Sequence, residues 1–248
     1  MSDLQVRQPH ALLDLPLRQL KAIKIERLLG LDVLTGSIRL IEIGAGSGGI
    51  SHYFGTHASE RYEVNAVDVV DSRVVYEGYT FTRVNGTELP FESEHFDVVI
   101  SNHVIEHVGD DDAQAKHLLE LKRVMKPNGI GYLAVPNRWM LIEPHYKHMF
   151  LSWWPVSWRS RYLQIFTDHK HYDCKPLEMH ELESKLKSEN LGFENISVKV
   201  LRVIFEIEGK NGVLQNIAAS MPDWILKLLN SINPTHVYIL RSNGSNNS

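Results

Sequence analysis

Short apolar runs alternate with amphipathic stretches along most of the chain, and the spacing inside each predicts its element. Leu17, Leu20, Ile23, Ile25, Leu28 and Leu29 recur at helical spacing. With Pro16 near the first position and Gly30 just past the last, they predict an N-terminal helix over 15–30. Its Arg18, Lys21 and Lys24 lie along one side and read as a solvated face, although a helix in that place can also close over a ligand. The runs 38–43, 62–67, 79–84, 96–100 and 131–135 are predicted strands; the more continuously apolar of them suit burial on both faces of a parallel sheet. Asp110, Asp111 and Asp112 open a helix with Leu118, Leu121 and Met125 on one face, stopped by Lys126-Pro127-Asn128-Gly129.

Pro176 starts a further helix with Met179, Leu182 and Leu186 on one face, ending at Asn190 to Gly192. A sixth strand is expected over Glu194 to Val203, a helical stretch near Val213 to Leu229, and a last strand over His236 to Leu240. Strand and helix alternating in this order predict an α/β fold with a doubly wound, mostly parallel sheet. Residues 137–175 break the alternation and hold Trp139, Trp153, Trp154 and Trp158. One domain over 1–241 is therefore expected, with the helix 15–30, a core 37–136, an insertion 137–175, a C-terminal part 176–241 and a disordered polar tail 242–248.

The first strand runs into Gly44-Ala45-Gly46-Ser47-Gly48-Gly49, with a helix expected from about Ile50. Glycine suits such a turn because it takes backbone angles that a Cβ obstructs and lets a ligand approach the main chain. The helix N-terminus behind it offers free N–H groups and positive partial charge. Gly44, Gly46 and Gly49 match the dinucleotide pattern G-x-G-x-x-G, while Glu42, Gly44, Gly46 and Gly48 match E-x-G-x-G-x-G. A glycine-rich turn with no ligand is the third reading. Asp68 ends the second strand, where one carboxylate can accept from both hydroxyls of a ribose. Its structural alternative is a helix N-cap, a role for which Asp71 is the better candidate.

Composition narrows the partners. A chain of 248 residues suits one α/β domain. With 26 basic against 30 acidic side chains and a net charge of −4, it has no global electrostatic reason to bind nucleic acid. Cys174 is the single cysteine, which rules out an internal disulfide framework and fits a reducing compartment. The first residues lack the basic and apolar regions of a secretory signal, and no run approaches the roughly 18 apolar residues of a membrane span. A cytoplasmic protein is expected.

Taken together, several stretches resemble the class I S-adenosylmethionine-dependent methyltransferases, in the small-molecule branch typified by quinone-biosynthesis methyltransferases. They are Glu42 to Gly48, Asp68, Leu89-Pro90-Phe91 with Phe96-Asp97-Val98-Val99, Val104-Ile105-Glu106-His107, and Leu121-Lys122-Arg123-Val124 with Lys126-Pro127-Asn128-Gly129. The resemblance covers about Arg39 to Asn137. It implies S-adenosyl-L-methionine as cofactor and a seven-stranded, Rossmann-like sheet whose last strand enters antiparallel, in a hairpin with the sixth. By the same resemblance Glu42 organises the glycine loop and the cofactor's methionine end, while Gly44, Ala45 and Gly46 let the backbone approach it. Asp68 would hold the ribose hydroxyls, with Val69 against the adenine face. Asn85, followed by Gly86, stands where the family usually has an aspartate that receives the adenine amino group; Asn102 and His103 would line the methionine end.

Methyl transfer to a hydroxyl benefits from a general base matched to neutral pH, and His107, His145 and Tyr146 are the candidates, each equally open to a structural role. His103-Val104-Ile105-Glu106-His107 also spells H-x-x-E-H, an inverted zinc-protease motif. The buried strand before it and the lack of a third ligand in the sequence set that match aside. Asp168, His169, His171, Asp173 and Cys174 are metal-capable but read as a solvated turn, so no metal is assigned.

The insertion leaves the fifth strand at the ligand edge of the sheet and is a lid candidate. Pro155 can start a helix with Trp158, Tyr162 and Ile165 on one face and Arg159 and Arg161 on other sides. The segment resembles one found in methyltransferases of surface-glycan or lipid-linked pathways. That implies a small-molecule, sugar or isoprenoid-linked acceptor, methylated at oxygen, and makes 149–166 a candidate for peripheral membrane contact. The opposite reading packs its aromatics on the sheet as core. An NAD(P)-dependent oxidoreductase and a non-catalytic cofactor-binding regulator stay open as alternatives.

Overall fold

The computed structural model describes residues 14–33, 35–57, 60–143, 148–166, 175–208, 222, 224–225, 230 and 233–242. Helix α1 (Leu15–Leu29) begins where Asp14 Oδ1 accepts from the Leu17 N–H at 3.1 Å, and it ends at Gly30, whose φ of 66° turns the chain out of the helix. The glycine turn joins β1 (Ile38–Ile43) to α2 (Gly49–His57), which is followed by β2 (Tyr62–Asp68), β3 (Thr80–Arg83) and β4 (Phe96–Asn102). Next come α3 (Asp111–Val124), capped by the Asp110 carboxylate, and β5 (Met125–Pro136). The insertion holds the short strands β6 (Ile142–Glu143) and β7 (His148–Met149) and the helix α4 (Val156–Phe166). The remaining elements are α5 (Met179–Ser188), β8 (Leu191–Asn195), α6 (Ser197–Glu208) and β9 (Thr235–Ser242).

Seven strands form one sheet in the order β3-β2-β1-β4-β5-β9-β8. All neighbours are parallel except β9, which is antiparallel to both β5 and β8, as the resemblance implies. Register brings Ile43 beside Val67 and Ser101, so the carboxyl ends of β1, β2 and β4 meet where the chain order reverses. Open α/β sheets bind ligands at such a reversal. On one face α1, α2 and α6 bury Leu40, Val98 and Ile100; on the other, α3 and α5 bury Ile41, Val99 and Leu133.

Several expectations need correction. The run 194–203 is strand only to Asn195; from Ser197 it is α6, because Ile196, Val200 and Val203 recur at i, i+4 and i+7 and pack into the core on the α1 side. Asn195 Oδ1 accepts from the Ser197 N–H at 3.0 Å and starts that helix. Met125 opens β5 instead of closing α3: it pairs with Phe96, Ile130 pairs with Val98, and the residues 126–129 bulge out between. No helix follows β2 in residues 69–79, so Asp71 is no N-cap; Arg73 Nε and Nη2 hold its carboxylate at 2.8 and 2.7 Å. Met179 is exposed, while Leu182 and Leu186 are buried as expected. The helix expected near 213–229 and the tail beyond Ser242 lie outside the described residues, three residues of the former excepted.

Candidate functional site

The glycine turn is a tight backbone hook over the end of β2. The N–H groups of Gly44 and Ala45 donate to Val67 O at 2.9 and 3.1 Å. Gly44 has φ 78°, and a Cβ there would collide with Val104, so no other residue fits. Asp68 ties the hook from the other side: Oδ2 accepts from Gly46 N at 2.9 Å, and Oδ1 from Val69 N at 2.7 Å. The carboxylate placed by sequence at the ribose position thus also braces the loop. Val69 is half-buried against the second core, and Asn85 and Gly86 are exposed just past the end of β3.

Beneath the hook Glu42 is fully buried. Its Oε2 accepts from Ser51 N at 3.0 Å and Ser51 Oγ at 2.5 Å, while Oε1 has no hydrogen bond and lies 3.9 Å from Arg18 Nη2. Burial pushes the Glu42 carboxyl up to about 7, against the opposing pull of Arg18 and Ser51. Arg18, read as part of a solvated row, is therefore a buried residue of the site. Ser47 Oγ and Asn102 Oδ1 are also buried without partners. Buried polar groups are rarely left unsatisfied, so this cluster at one sheet edge fits a polar ligand that approaches the main chain. No ordering of glycines in the sequence signals Arg18 or Ser51.

At the tip of β4, His103 adopts φ 59°, and its N–H donates to Ala134 O at 2.9 Å. Its Nδ1 lies 3.3 Å from Glu106 Oε1 and its Nε2 3.4 Å from Thr235 Oγ1 at the start of β9. His107 Nε2 is 3.9 Å from the same Glu106 oxygen. Glu106 is buried, and neither oxygen has a well-aligned hydrogen bond. Burial works to raise its carboxyl, but the close His103 contact and the His103 and His107 charges outweigh that and hold it below the ordinary value. Behind it, His117 Nε2 meets Ser101 Oγ at 3.0 Å, and burial pushes that imidazole down to about 4. The two histidines of H-x-x-E-H therefore converge on the glutamate between them. Among the described residues no three His, Cys, Asp or Glu side chains are grouped to hold a metal ion. His145, Tyr146 and the cluster 168–174 lie outside the described residues.

The insertion starts at the same edge, where Asn137 Nδ2 donates to Asn233 O at 2.9 Å. In α4 the buried stripe is Arg159 and Leu163: Arg159 Nε and Nη2 donate to Trp154 O and Ser152 O at 2.8 and 2.9 Å. Trp158, Ile165 and Phe166 are 55%, 74% and 61% exposed, so these side chains are not packed on the sheet. No helix among the described residues is long and apolar enough to cross a membrane.

Comparison with known proteins agrees with this geometry. Residues 41–133 match a family model described as "Methyltransferase domain". The ubiquinone/menaquinone biosynthesis C-methyltransferases UbiE of two Vibrio vulnificus strains are 24% identical, over 64% of this chain and 65% of their own length. The S-adenosylmethionine-dependent methyltransferase of Methanosarcina mazei is similar in fold at 16% identity, with a TM-score of 0.51 over 86% of this chain and 94% of that one. The YcgJ protein of Bacillus subtilis is similar at 15% identity, with a TM-score of 0.52 over 90% and 99%.

Proposed function

We propose that this chain is a class I S-adenosylmethionine-dependent methyltransferase, moving a methyl group from that cofactor to a small acceptor. The observation that carries the reading is the set of buried oxygens without a hydrogen bond, on Glu42, Ser47 and Asn102, that accompanies a glycine hook at the sheet's switch point. When bound, S-adenosylmethionine supplies an electrophilic methyl on a sulfonium; the protein contributes orientation and exclusion of water.

In this reading Glu42, Gly44, Ala45 and Gly46 take the methionine end, together with Asn102 and His103. Asp68 shares its carboxylate between the loop and the ribose, Val69 lies on the adenine, and Asn85 beside Gly86 receives the adenine amino group. The acceptor proton goes to an imidazole at the tip of β4. His103 and His107 share the buried Glu106 carboxylate, which offsets the charge of an imidazolium at 3.3 and 3.9 Å. His145 and Tyr146 stay candidates for the same proton.

Oxygen is the proposed acceptor atom. Carbon is the second reading, favoured by the C-methyltransferase relatives. The exposed aromatic face of the insertion, with no acidic residue between His148 and Phe166, supports a sugar or isoprenoid-linked acceptor and peripheral contact with a membrane through 149–166. Transfer of tritiated methyl into fractionated cell extract tests both levels. Label in an organic-soluble or glycan fraction is expected; label confined to protein or nucleic acid would overturn the acceptor class, and no transfer to any fraction would favour a non-catalytic regulator.

A further inference from the structure

The chain turns sharply at the end of β4. His103 takes φ 59°, a conformation uncommon for a residue with a side chain, and its N–H is fixed on Ala134 O of β5 at 2.9 Å. Val104 beside it fills the space where a Cβ on Gly44 would fall, so the turn abuts the glycine hook. The strained backbone sets the imidazole between two oxygens from distant parts of the chain. Nδ1 faces Glu106 Oε1 at 3.3 Å, and Nε2 faces Thr235 Oγ1 at 3.4 Å. Glu106 is buried, and among the described residues its counter-charges come from His103 and His107. From α3, His117 is kept neutral by burial and turns to Ser101, while Gln114 Nε2 donates to Ile105 O. From the segment before α5, Lys175 reaches Glu106 through its backbone N–H, its ammonium being held by Asp111.

We propose that His103 Nε2 is the base that takes the acceptor's proton, with Glu106 as its positioning residue. This rests on the methyl-transfer reading and names the atom that reading leaves open. Burial alone would keep Glu106 protonated, but the contacts with His103 and His107 hold its carboxyl below the ordinary value, so it is ionised at neutral pH. An ionised carboxylate only accepts, so the neutral ring facing it keeps its proton on Nδ1 and leaves Nε2 basic. Thr235 shows that a hydroxyl oxygen fits in front of that nitrogen. At 3.4 Å the contact is loose enough for an acceptor hydroxyl to replace it, and catalytic hydrogen bonds are often long until the reactants are seated. In the step itself the acceptor hydroxyl gives its proton to Nε2, its oxygen pair forms the new bond to carbon, and the carbon–sulfur pair leaves with sulfur. Glu106 balances the imidazolium, and the proton returns to solvent through a side chain that is 22% exposed. His107 fits this task less well: it turns Nε2 inward, 3.9 Å from the same Glu106 oxygen.

Two readouts test it on the full chain and on His103→Gln, His107→Gln and Glu106→Gln. The first needs no acceptor: long-range proton–nitrogen NMR on histidine-labelled protein, with His103 assigned through its variant. Neutral His103 should carry its proton on Nδ1, and in Glu106→Gln the pH at which it takes a second proton should fall by about one unit or more. The second is the initial rate of tritiated methyl transfer into the cell-extract fraction that the unaltered chain labels, followed against pH, with S-adenosylhomocysteine affinity measured in parallel to separate loss of the base from loss of the donor site. His103→Gln should lose about 100-fold or more, the contribution of a positioned base, and His107→Gln less than about tenfold. Glu106→Gln should lower the plateau about 10- to 100-fold and move the acidic limb of the profile to lower pH, which a merely structural glutamate would not do. A neutral His103 protonated on Nε2, an acidic limb unmoved in Glu106→Gln, or equal losses in the two histidine variants would overturn the assignment alone. If Glu106→Gln does not fold, the tautomer of the unaltered chain and the two histidine variants decide. If the unaltered chain labels no fraction, the methyl-transfer reading itself fails and takes this assignment with it.

Discussion

The glycine hook and the insertion are built on opposite plans. Around the hook, carboxylates and amides are buried: Glu42, Asn102 and Glu106 are 0%, 6% and 1% exposed. In the insertion Arg159 is buried beside Leu151 and Leu163, while the four tryptophans, Phe150 and Phe166 are exposed. The first plan keeps desolvated polar groups for a small polar ligand, at a cost in stability that only a bound partner offsets. The second holds Arg159 on backbone carbonyls and leaves aromatic area exposed. Under the proposed function, the first plan would serve the donor and the second the acceptor.

Gly44→Val should break the first plan most severely. Between the φ of 78° and the collision with Val104 there is no relaxed place for the side chain, so S-adenosylhomocysteine affinity should fall on the order of 100-fold or more. A folded variant that binds within tenfold in calorimetry would remove the turn from the site.

The buried carboxylate gives the next effect, read from stability against pH. Glu42 has its folded pKa raised, so its contribution favours the folded state below the unfolded value of 4.5 and is lost as pH rises toward about 7. His117 and His236, both pushed down to about 4 by burial, act in the opposite sense over the same window. Glu42→Gln isolates the first contribution. Its stability relative to the unaltered chain should climb by up to about 3 kcal/mol between pH 4.5 and 7 in urea titrations. A difference that is flat with pH would mean that Glu42 is ordinary.

Asp68→Ala should weaken S-adenosylhomocysteine by about 1.5–3 kcal/mol, the range for hydrogen bonds to a charged group. Because Asp68 also accepts from Gly46, Val69 and Val70, the ligand-free protein should lose about 1 kcal/mol as well. Unchanged affinity in calorimetry would take the ribose away from Asp68. The smallest effect on cofactor affinity, under about twofold, is expected from Trp158→Ser with Tyr162→Ser, on the premise that the two plans are independent. The same variant should lose methyl transfer or co-sedimentation with liposomes. Collapse of folding and cofactor binding together would make the insertion part of the core.

The hook was legible in the sequence because it depends on residues that backbone geometry demands at fixed spacing, Gly44 and Gly46 before an acid at the end of the next strand. The doubly wound, mostly parallel sheet followed from the alternation of elements, and the antiparallel last strand from the family resemblance. What escaped depends on packing between distant segments. Arg18 belongs to a row of cations until Gly49 gives α1 a place to lie against α2. The run after Asn195 is rich in β-branched residues and reads as strand, and only its fit to the core makes it helix. In α4 the apolar stripe was legible, but not that it faces outward, because the inward stripe is Arg159 and Leu163. Glu106 stood in a recognisable motif, yet its service to two imidazoles emerges only once β4 has turned at His103.

The most direct test of the central claim is calorimetric titration of the purified full chain with S-adenosylhomocysteine and, separately, with NADH. The account predicts saturable binding of S-adenosylhomocysteine at one site per chain, abolished by Gly44→Val, and no heat with NADH. Saturable NADH binding with no response to S-adenosylhomocysteine would contradict it.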